Sequence, residues 1–284
     1  MSLNLRIVYF ALTGALGALA AWFVLDVILD LQPSSPYLDA LLNGALIGVA
    51  IGVAVNGFSG VMEFKVWPVV RGVLVGLVGG LLGGALGLLL GEFFYQNLGN
   101  NDALRILGWA IFGFFLGLVD GVLALSPRRM LYAGAGGLLG GLLGGIVFSL
   151  LARYSDLPNT ARALGFALLG ALTGLFIGLL PTMLRNAWLK VISSGRNEGK
   201  EILVDKKRVM IGADARCEMA LYGDPGIAAQ HAEIQQNAGQ FILKPFGQSR
   251  VIMEDRLVSQ HILQDEDIFQ VGQETLIFRK KSGG

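Results

Sequence analysis

Apolar and polar residues follow two different rhythms along this chain, and the change falls near Lys190. Before it, six apolar stretches of about 20 residues, the length that crosses a hydrocarbon core, fit positions 6–28, 38–60, 69–92, 103–125, 129–152 and 161–184. From about Ile202 the period drops to two, in short runs such as Glu201–Val204, Arg208–Ile211, His231–Ile234, Gln240–Leu243 and Thr275–Phe278. Turn residues separate these runs at Gly223-Asp-Pro-Gly226, Asn237-Ala-Gly239, Pro245-Phe-Gly247 and Gly272. Many short strands at such spacing predict a β-sandwich. The polar run Ser193–Gly199 between the two regimes reads as a flexible linker. The expected architecture is therefore a membrane all-α bundle of six transmembrane helices in residues 1–190, a linker over 191–200 and an all-β sandwich over 201–284.

Local signals sharpen the helix ends. Ser35-Pro36 and Ser126-Pro127 each set a capping hydroxyl before a proline whose missing N–H costs nothing at a first helical position. Asp102 and Thr160 are expected to cap the fourth and sixth spans. The first apolar run is too long for a signal peptide's hydrophobic core and reads as a retained helix. Arg6, Lys65, Arg71, Arg128, Arg129, Arg185 and Lys190 fall on one side of the membrane and Arg105, Arg153 and Arg162 on the other. That bias predicts a multi-pass plasma (inner) membrane protein with both termini in the cytoplasm. The opposite loops hold Asp30, Asp39, Asp102 and Asp156.

The spans repeat. Leu107-Gly-Trp-Ala-Ile-Phe-Gly113 matches Leu164-Gly-Phe-Ala-Leu-Leu-Gly170, and Leu42-Asn-Gly-Ala-Leu-Ile-Gly48 is a weaker third copy. Likewise Gly79-Gly-Leu-Leu-Gly-Gly84 recurs as Gly136-Gly-Leu-Leu-Gly-Gly141. A two-helix unit returns the chain to its starting side, so the copies predict a pseudo-threefold bundle closed by the first and last helices. Glycines four residues apart, among them Gly76 and Gly80, Gly113 and Gly117, Gly140, and Gly170 and Gly174, make grooves that let helix backbones approach closely. The third span carries two such rows, which predicts a helix gripped from two sides. Tight packing is the expected role of these glycines, ahead of a glycine-lined pore.

Within the spans Asp120 and Asn56 are the polar residues of interest, since a carboxylate in lipid is by default a functional candidate. Asp120 lies about two turns from Arg128 and Arg129, so an interfacial salt bridge is the leading expectation. Glu63 and Lys65 read as loop residues near headgroups. No span shows the acid series or broken helix that ion-coupled transporters use.

Composition narrows the chemistry. The chain has a net charge of +1, one cysteine and two histidines. Balanced charge gives no basic face for nucleic acid, the lone Cys217 excludes an intramolecular disulfide, and His231 and His261 with no cysteine cluster make a metal site improbable. No Gly-rich phosphate loop after a strand and no nucleophile–base pair points to an enzyme, so neither catalysis nor a cofactor is expected.

Over residues 200–280 the chain resembles the forkhead-associated (FHA) family, through Ile211-Gly212, Cys217, His231-Ala-Glu-Ile234, and Leu263-Gln-Asp-Glu-Asp-Ile-Phe-Gln-Val-Gly272 followed by Leu276-Ile-Phe278. The resemblance implies an eleven-stranded sandwich whose apical loops read phosphothreonine peptides, and so partners linked to Ser/Thr kinase signalling. The family's phosphate-contacting positions are altered here. Its arginine after the first glycine falls on Ala213, its serine and arginine before the histidine fall on Ala228 and Ala229, and its Asn-Gly pair falls near Ser249 and Arg250. Removing an arginine fork and a hydroxyl deletes charge-assisted bonds worth about 1.5–3 kcal/mol each. His231 and Gly212 are implied to be framework residues, and Cys217 a core residue. Ala213, Arg216, Ala228, Gln230, Ser249 and Arg250 mark the expected partner-binding loops, with Lys206, Lys207, Arg208, Arg216 and Arg250 as candidates for a substitute anion site.

These features favour a membrane-anchored scaffold that docks cytosolic proteins through a degenerate, phosphate-independent FHA-like domain. The alternatives are a channel or transporter regulated by that domain, and a subunit of a larger secretion or signalling complex. Glycine-faced helices suit a homo-oligomer or such a larger assembly.

Overall fold

A computed structural model describes residues 3–29, 35–61, 66–99, 101–154, 158–237 and 239–281. Asp30, Glu63, Lys65, Asp156 and part of the 237–239 turn lie outside the described residues. The chain divides after Leu184 into two compact units.

The first unit contains six helices long and apolar enough to cross a membrane. They are α1 (Leu3–Trp22, continued by a π-helical segment Phe23–Leu29), α2 (Pro36–Val61), α3 (Val66–Leu98), α4 (Asp102–Ala124), α5 (Pro127–Tyr154) and α6 (Pro158–Met183). The capping residues differ in part from expectation. Ser126 does accept from the backbone N–H of Arg129 at 3.2 Å. At α4, however, the cap is Asn101, whose side chain accepts from the Leu104 N–H at 2.9 Å, and Asp102 is already helical. Thr160 lies inside α6, which starts on Pro158, a residue suited to a first helical position.

Consecutive helices meet glycine to backbone. A methyl group on Gly48 of α2 would strike the carbonyl of Gly80 on α3, and one on Gly76 would strike Gly52. The opposite row of α3 seats Val119 and Phe112 of α4 on Gly79 and Gly87. Gly113 and Gly117 of α4 abut Gly137 and Ala133 of α5, and Gly140 of α5 abuts Leu172 and Thr173 of α6. Gly170 and Gly174 of α6 in turn meet Gly14 and Phe10 of α1, while Gly17 of α1 meets Ala50 of α2. The six helices thus close into a ring. Ile47 and Ile51 of α2, Phe112 and Leu116 of α4 and Leu169 of α6 belong to one buried apolar cluster, together with Phe10 and Ala18 of α1. Leucines such as Leu74, Leu81 and Leu82 of α3 stay exposed, as expected of side chains facing lipid.

The second unit is a two-sheet sandwich of eleven strands: β1 (Ala187–Val191), β2 (Glu201–Leu203), β3 (Arg208–Gly212), β4 (Met219–Ala220), β5 (Ala232–Asn237), β6 (Gln240–Pro245), β7 (Val251–Met253), β8 (Arg256–Val258), β9 (His261–Leu263), β10 (Ile268–Val271) and β11 (Glu274–Lys280). One sheet runs β2-β1-β11-β10-β7-β8 and the other β4-β3-β5-β6-β9. Alternate residues such as Leu189, Val209, Ile211, Ile234, Leu243, Phe269 and Phe278 fill the space between them, the period-two burial that a half-buried strand requires.

The expected boundaries at 190 and 200 are corrected here. Strand β1 is built from Ala187-Trp-Leu-Lys-Val191 and lies between β2 and β11, pairing Leu189 with Phe278 and with Ile202. Its five residues sit between Arg185-Asn186 and the polar Ser193–Gly199 run, too short a stretch to declare its alternation alone, which is why a boundary at 190 leaves them with the membrane domain. Ser193–Gly199 is a built loop of the sandwich, not a free linker. Asn197 is buried; its amide donates to the Tyr222 carbonyl at 2.9 Å and to Glu274, and its Oδ1 accepts from the Tyr222 N–H at 3.1 Å. Ser193 donates to the same carboxylate and accepts from the Thr275 N–H at 3.1 Å. Glu274 is thereby buried with both oxygens engaged, as burial of a carboxylate demands.

Candidate functional site

Three loops at one end of the sandwich bring the sequence-singled residues together. The β3–β4 loop is tied to the β4–β5 loop by Ala213 N–H to the Ala228 carbonyl at 2.9 Å and Asp214 N–H to the Ala229 carbonyl at 3.1 Å. Gly212 makes this approach possible, because a methyl group there would overlap the Ala229 carbonyl. His231 then links the β4–β5 loop to the β6–β7 loop. Its Nδ1 accepts from the Ala228 N–H at 3.1 Å, which leaves the ring proton on Nε2, donated to the Arg250 carbonyl at 2.9 Å. The imidazole is buried and both nitrogens are occupied by main chain, so its work here is to brace two loops. Asp224 adds a third tie that sequence reading missed. One oxygen accepts from the Gly226 N–H at 2.8 Å and the other from Gln273 N–H at 2.6 Å, across 49 positions. The Asp-Pro-Gly turn signalled the first bond, and nothing local signals the second.

A cleft of about 620 Å³ opens between these loops, lined by Gly226, Ala228, Gln230, His231, Phe246, Ser249, Arg250 and Gln270 among others. Four of the expected partner-binding residues, Ala228, Gln230, Ser249 and Arg250, therefore share one concavity. Ala213 backs it through its bond to Ala228. Arg216 is exposed and turned onto its neighbour Asp214 at 2.7 Å, a pairing that raises the guanidinium pKa through hydrogen bonding and charge.

Of the three alanines singled out in the sequence, Ala228 lines the cleft, and Ala213 and Ala229 lie in the loops beside it. Most of the cations singled out for a substitute anion site are engaged. Lys206 pairs with Glu218 at 2.9 Å and Arg208 with Glu233, in addition to the Arg216–Asp214 pair. Lys207 and Arg250 are exposed. Cys217 is buried beneath the loops with its thiol 3.2 Å from the Ala229 carbonyl, and burial pushes its pKa up to about 11. It is a packed, protonated thiol. His261 contacts Asp267 at 3.1 Å on the far strand β9, away from the cleft residues.

In the membrane unit Asp120 is nearly inaccessible, with side-chain exposure of 3%. Arg129 grips it with two bonds, Nε at 2.8 Å and Nη2 at 3.0 Å, and Arg6 of α1 adds a third at 2.7 Å. Arg6 also lies 4.6 Å from the Phe10 ring centroid. The structure thus joins α1, α4 and α5 at one carboxylate. Sequence reading found Arg129 by its proximity but had no signal for Arg6. Asn56 is buried and donates to the Gly52 carbonyl one turn back at 2.9 Å. At the other end of the bundle Asp26 in the π-helical segment pairs with Arg162 at 3.0 Å.

Comparison with known proteins finds solved structures and one family model similar to the second unit. Solved structures similar to it include the FHA domain of CT664 protein from Chlamydia trachomatis, at 24% identity over 34% of this chain and 99% of that one, with a TM-score of 0.31. The FHA domain of an Arabidopsis thaliana hypothetical protein matches at 19% identity over 35% and 89%, TM-score 0.31. The FhaA FHA domain, solved in complex with the intracellular domain of Rv3910, matches at 19% identity over 33% and 99%, TM-score 0.30. No curated protein matches the chain. The second unit is an FHA-like sandwich that follows six apolar helices, and its residues 191–282 match the family described as "Inner membrane component of T3SS, cytoplasmic domain".

Proposed function

We propose that this chain is a non-enzymatic membrane subunit that docks cytosolic proteins through the apical loops of its FHA-like domain, without requiring a phosphothreonine. The carrying observation is the loop set itself. Its framework is intact, with Gly212, His231 and Asp224 holding three loops and the β10–β11 turn around a cleft, while alanines stand at the phosphate-gripping positions and three nearby cations are paired with carboxylates. The match to a T3SS inner membrane component supports membership of a larger membrane complex. The basic-residue bias supports cytoplasmic termini. The glycine contacts around the helix ring support a threefold repeat of two-helix units held by small-residue packing. Tethering a docking domain to a membrane assembly raises the local concentration of whatever it binds.

Binding of phosphothreonine peptides to the full chain in nanodiscs tests the reading. Phosphorylated and unphosphorylated forms of a peptide should bind alike, and the triple change Ala213→Arg, Ala228→Ser, Ala229→Arg should create a phosphate preference. Tight, phosphate-dependent binding by the unaltered protein would overturn it. Crosslinking in native membranes should recover cytosolic partners that are lost on changing Gln230 and Ser249.

A further inference from the structure

We infer that the membrane unit carries a binding site for the headgroup of an anionic phospholipid, at the end of the bundle where α3 begins, α4 ends and α5 begins. Four guanidiniums gather there. Arg6 and Arg129 are held by Asp120. Arg71 of α3 donates to the Leu123 carbonyl in the last turn of α4 at 3.0 Å. Arg128 opens α5 across the short turn at Leu125 and Ser126, and its side chain is exposed. Among the described residues a single carboxylate, Asp120, pairs with this group, and it is buried and saturated by Arg6 and Arg129. Arg71 therefore stabilises a helix-end carbonyl with one N–H and, with Arg128, leaves charge at the surface for an outside anion.

The surroundings specify a lipid as the source of that anion. Arg71 shares one face of α3 with Trp67 and Leu74, at helical spacings of three to four residues, and both of these are exposed. Val122 and Leu125 at the end of α4 and Leu131 in α5 are exposed as well. Cations at a membrane end, beside a tryptophan and above bare aliphatic side chains, match a headgroup with acyl chains below it. Tryptophan favours the interface, and basic pockets between transmembrane helices take anionic headgroups. A soluble phosphate would gain nothing from the aliphatic part.

The test uses the full chain in zwitterionic detergent, with lipid retention read by native mass spectrometry. Phosphatidylglycerol should be retained over phosphatidylcholine. The double variant Arg71→Gln, Arg128→Gln should weaken phosphatidylglycerol binding about thirtyfold, and Arg71→Lys should keep most of it. Equal retention of the two lipids would overturn the proposal, as would unchanged retention by the double variant. Displacement of phosphatidylglycerol by millimolar inorganic phosphate would also overturn it, showing a free-phosphate site instead. Should the double variant unfold, Arg128→Gln alone decides, because its exposed side chain can change without disturbing the helix contacts. Reduced retention supports the site, and unchanged retention removes it.

Discussion

Arg6 and Asp120, 114 positions apart, meet at 2.7 Å inside the membrane unit. Asp120 holds Arg129 as well, so one carboxylate orders two guanidiniums from different helices. Replacing Asp120 by Asn should destabilise the bundle by about 3–5 kcal/mol, because both arginines would stay largely buried without a counter-charge. The apparent unfolding midpoint in detergent reads this. A triple change to Arg6→Met, Asp120→Leu and Arg129→Met should recover much of the loss, since a buried ion cluster and an apolar replacement of similar volume are often close in stability.

Contacts between α2 and α3 set a second expectation. Gly80→Val places branched carbon against the Gly48 carbonyl, and overpacking of this kind costs about 1–3 kcal/mol or more. Leu82→Val on the exposed face of the same helix should leave stability nearly unchanged. Size-exclusion homogeneity and thermal midpoint, compared between the two variants, separate packing from general sensitivity of α3.

For the apical loops, His231→Ala removes the acceptor of the Ala228 N–H and the donor to the Arg250 carbonyl. Each main-chain group left without its partner costs about 1–3 kcal/mol where water cannot replace it. Hydrogen exchange on the full chain should speed up in residues 224–231 and 246–250, while the β5–β6 ladder keeps its protection.

Cys217 gives a pH-dependent expectation. Its pKa is raised to about 11 in the folded chain, chiefly by burial. In the unfolded chain the thiol ionises near its ordinary value of 9.0. Folding stability from this group is therefore intact below pH 9 and declines as pH climbs from 9 toward 11. Cys217→Ala should lack that component of the alkaline decline. At pH 8 the native thiol should react slowly with maleimide and quickly after unfolding.

Much of the architecture is readable from hydropathy because burial and lipid exposure both act on side-chain polarity residue by residue. Thus α2, α4 and α5 end within a few residues of their expected limits, and the strands around Arg208–Gly212 and Gln240–Pro245 follow their alternating pattern. What escaped depends on distant partners. Strand β1 looks like a short remainder of the membrane domain after Arg185-Asn186 until β11 is placed beside it. Asn197 looks like a linker residue until Glu274 and Tyr222 surround it. Arg6 looks like a topology signal alone until α1 closes the ring and delivers it to Asp120. In the apical loops the FHA resemblance located the alanines, but only the fold shows Asp224 bonding to Gln273 and acids pairing with the neighbouring cations.

The placement of β1 has a consequence for how the two halves of the protein can be parted. This strand follows the last helix directly in the chain, yet it is an interior strand of its sheet, flanked by β2 and β11. Cutting the backbone anywhere in Ser193–Gly199 would sever the covalent path while β1 remained hydrogen-bonded on both sides, so a nicked domain would stay on the membrane. A fragment begun at residue 201 would instead lack that strand and expose the ladder of β11. Separating recognition from anchoring requires a cut before Ala187.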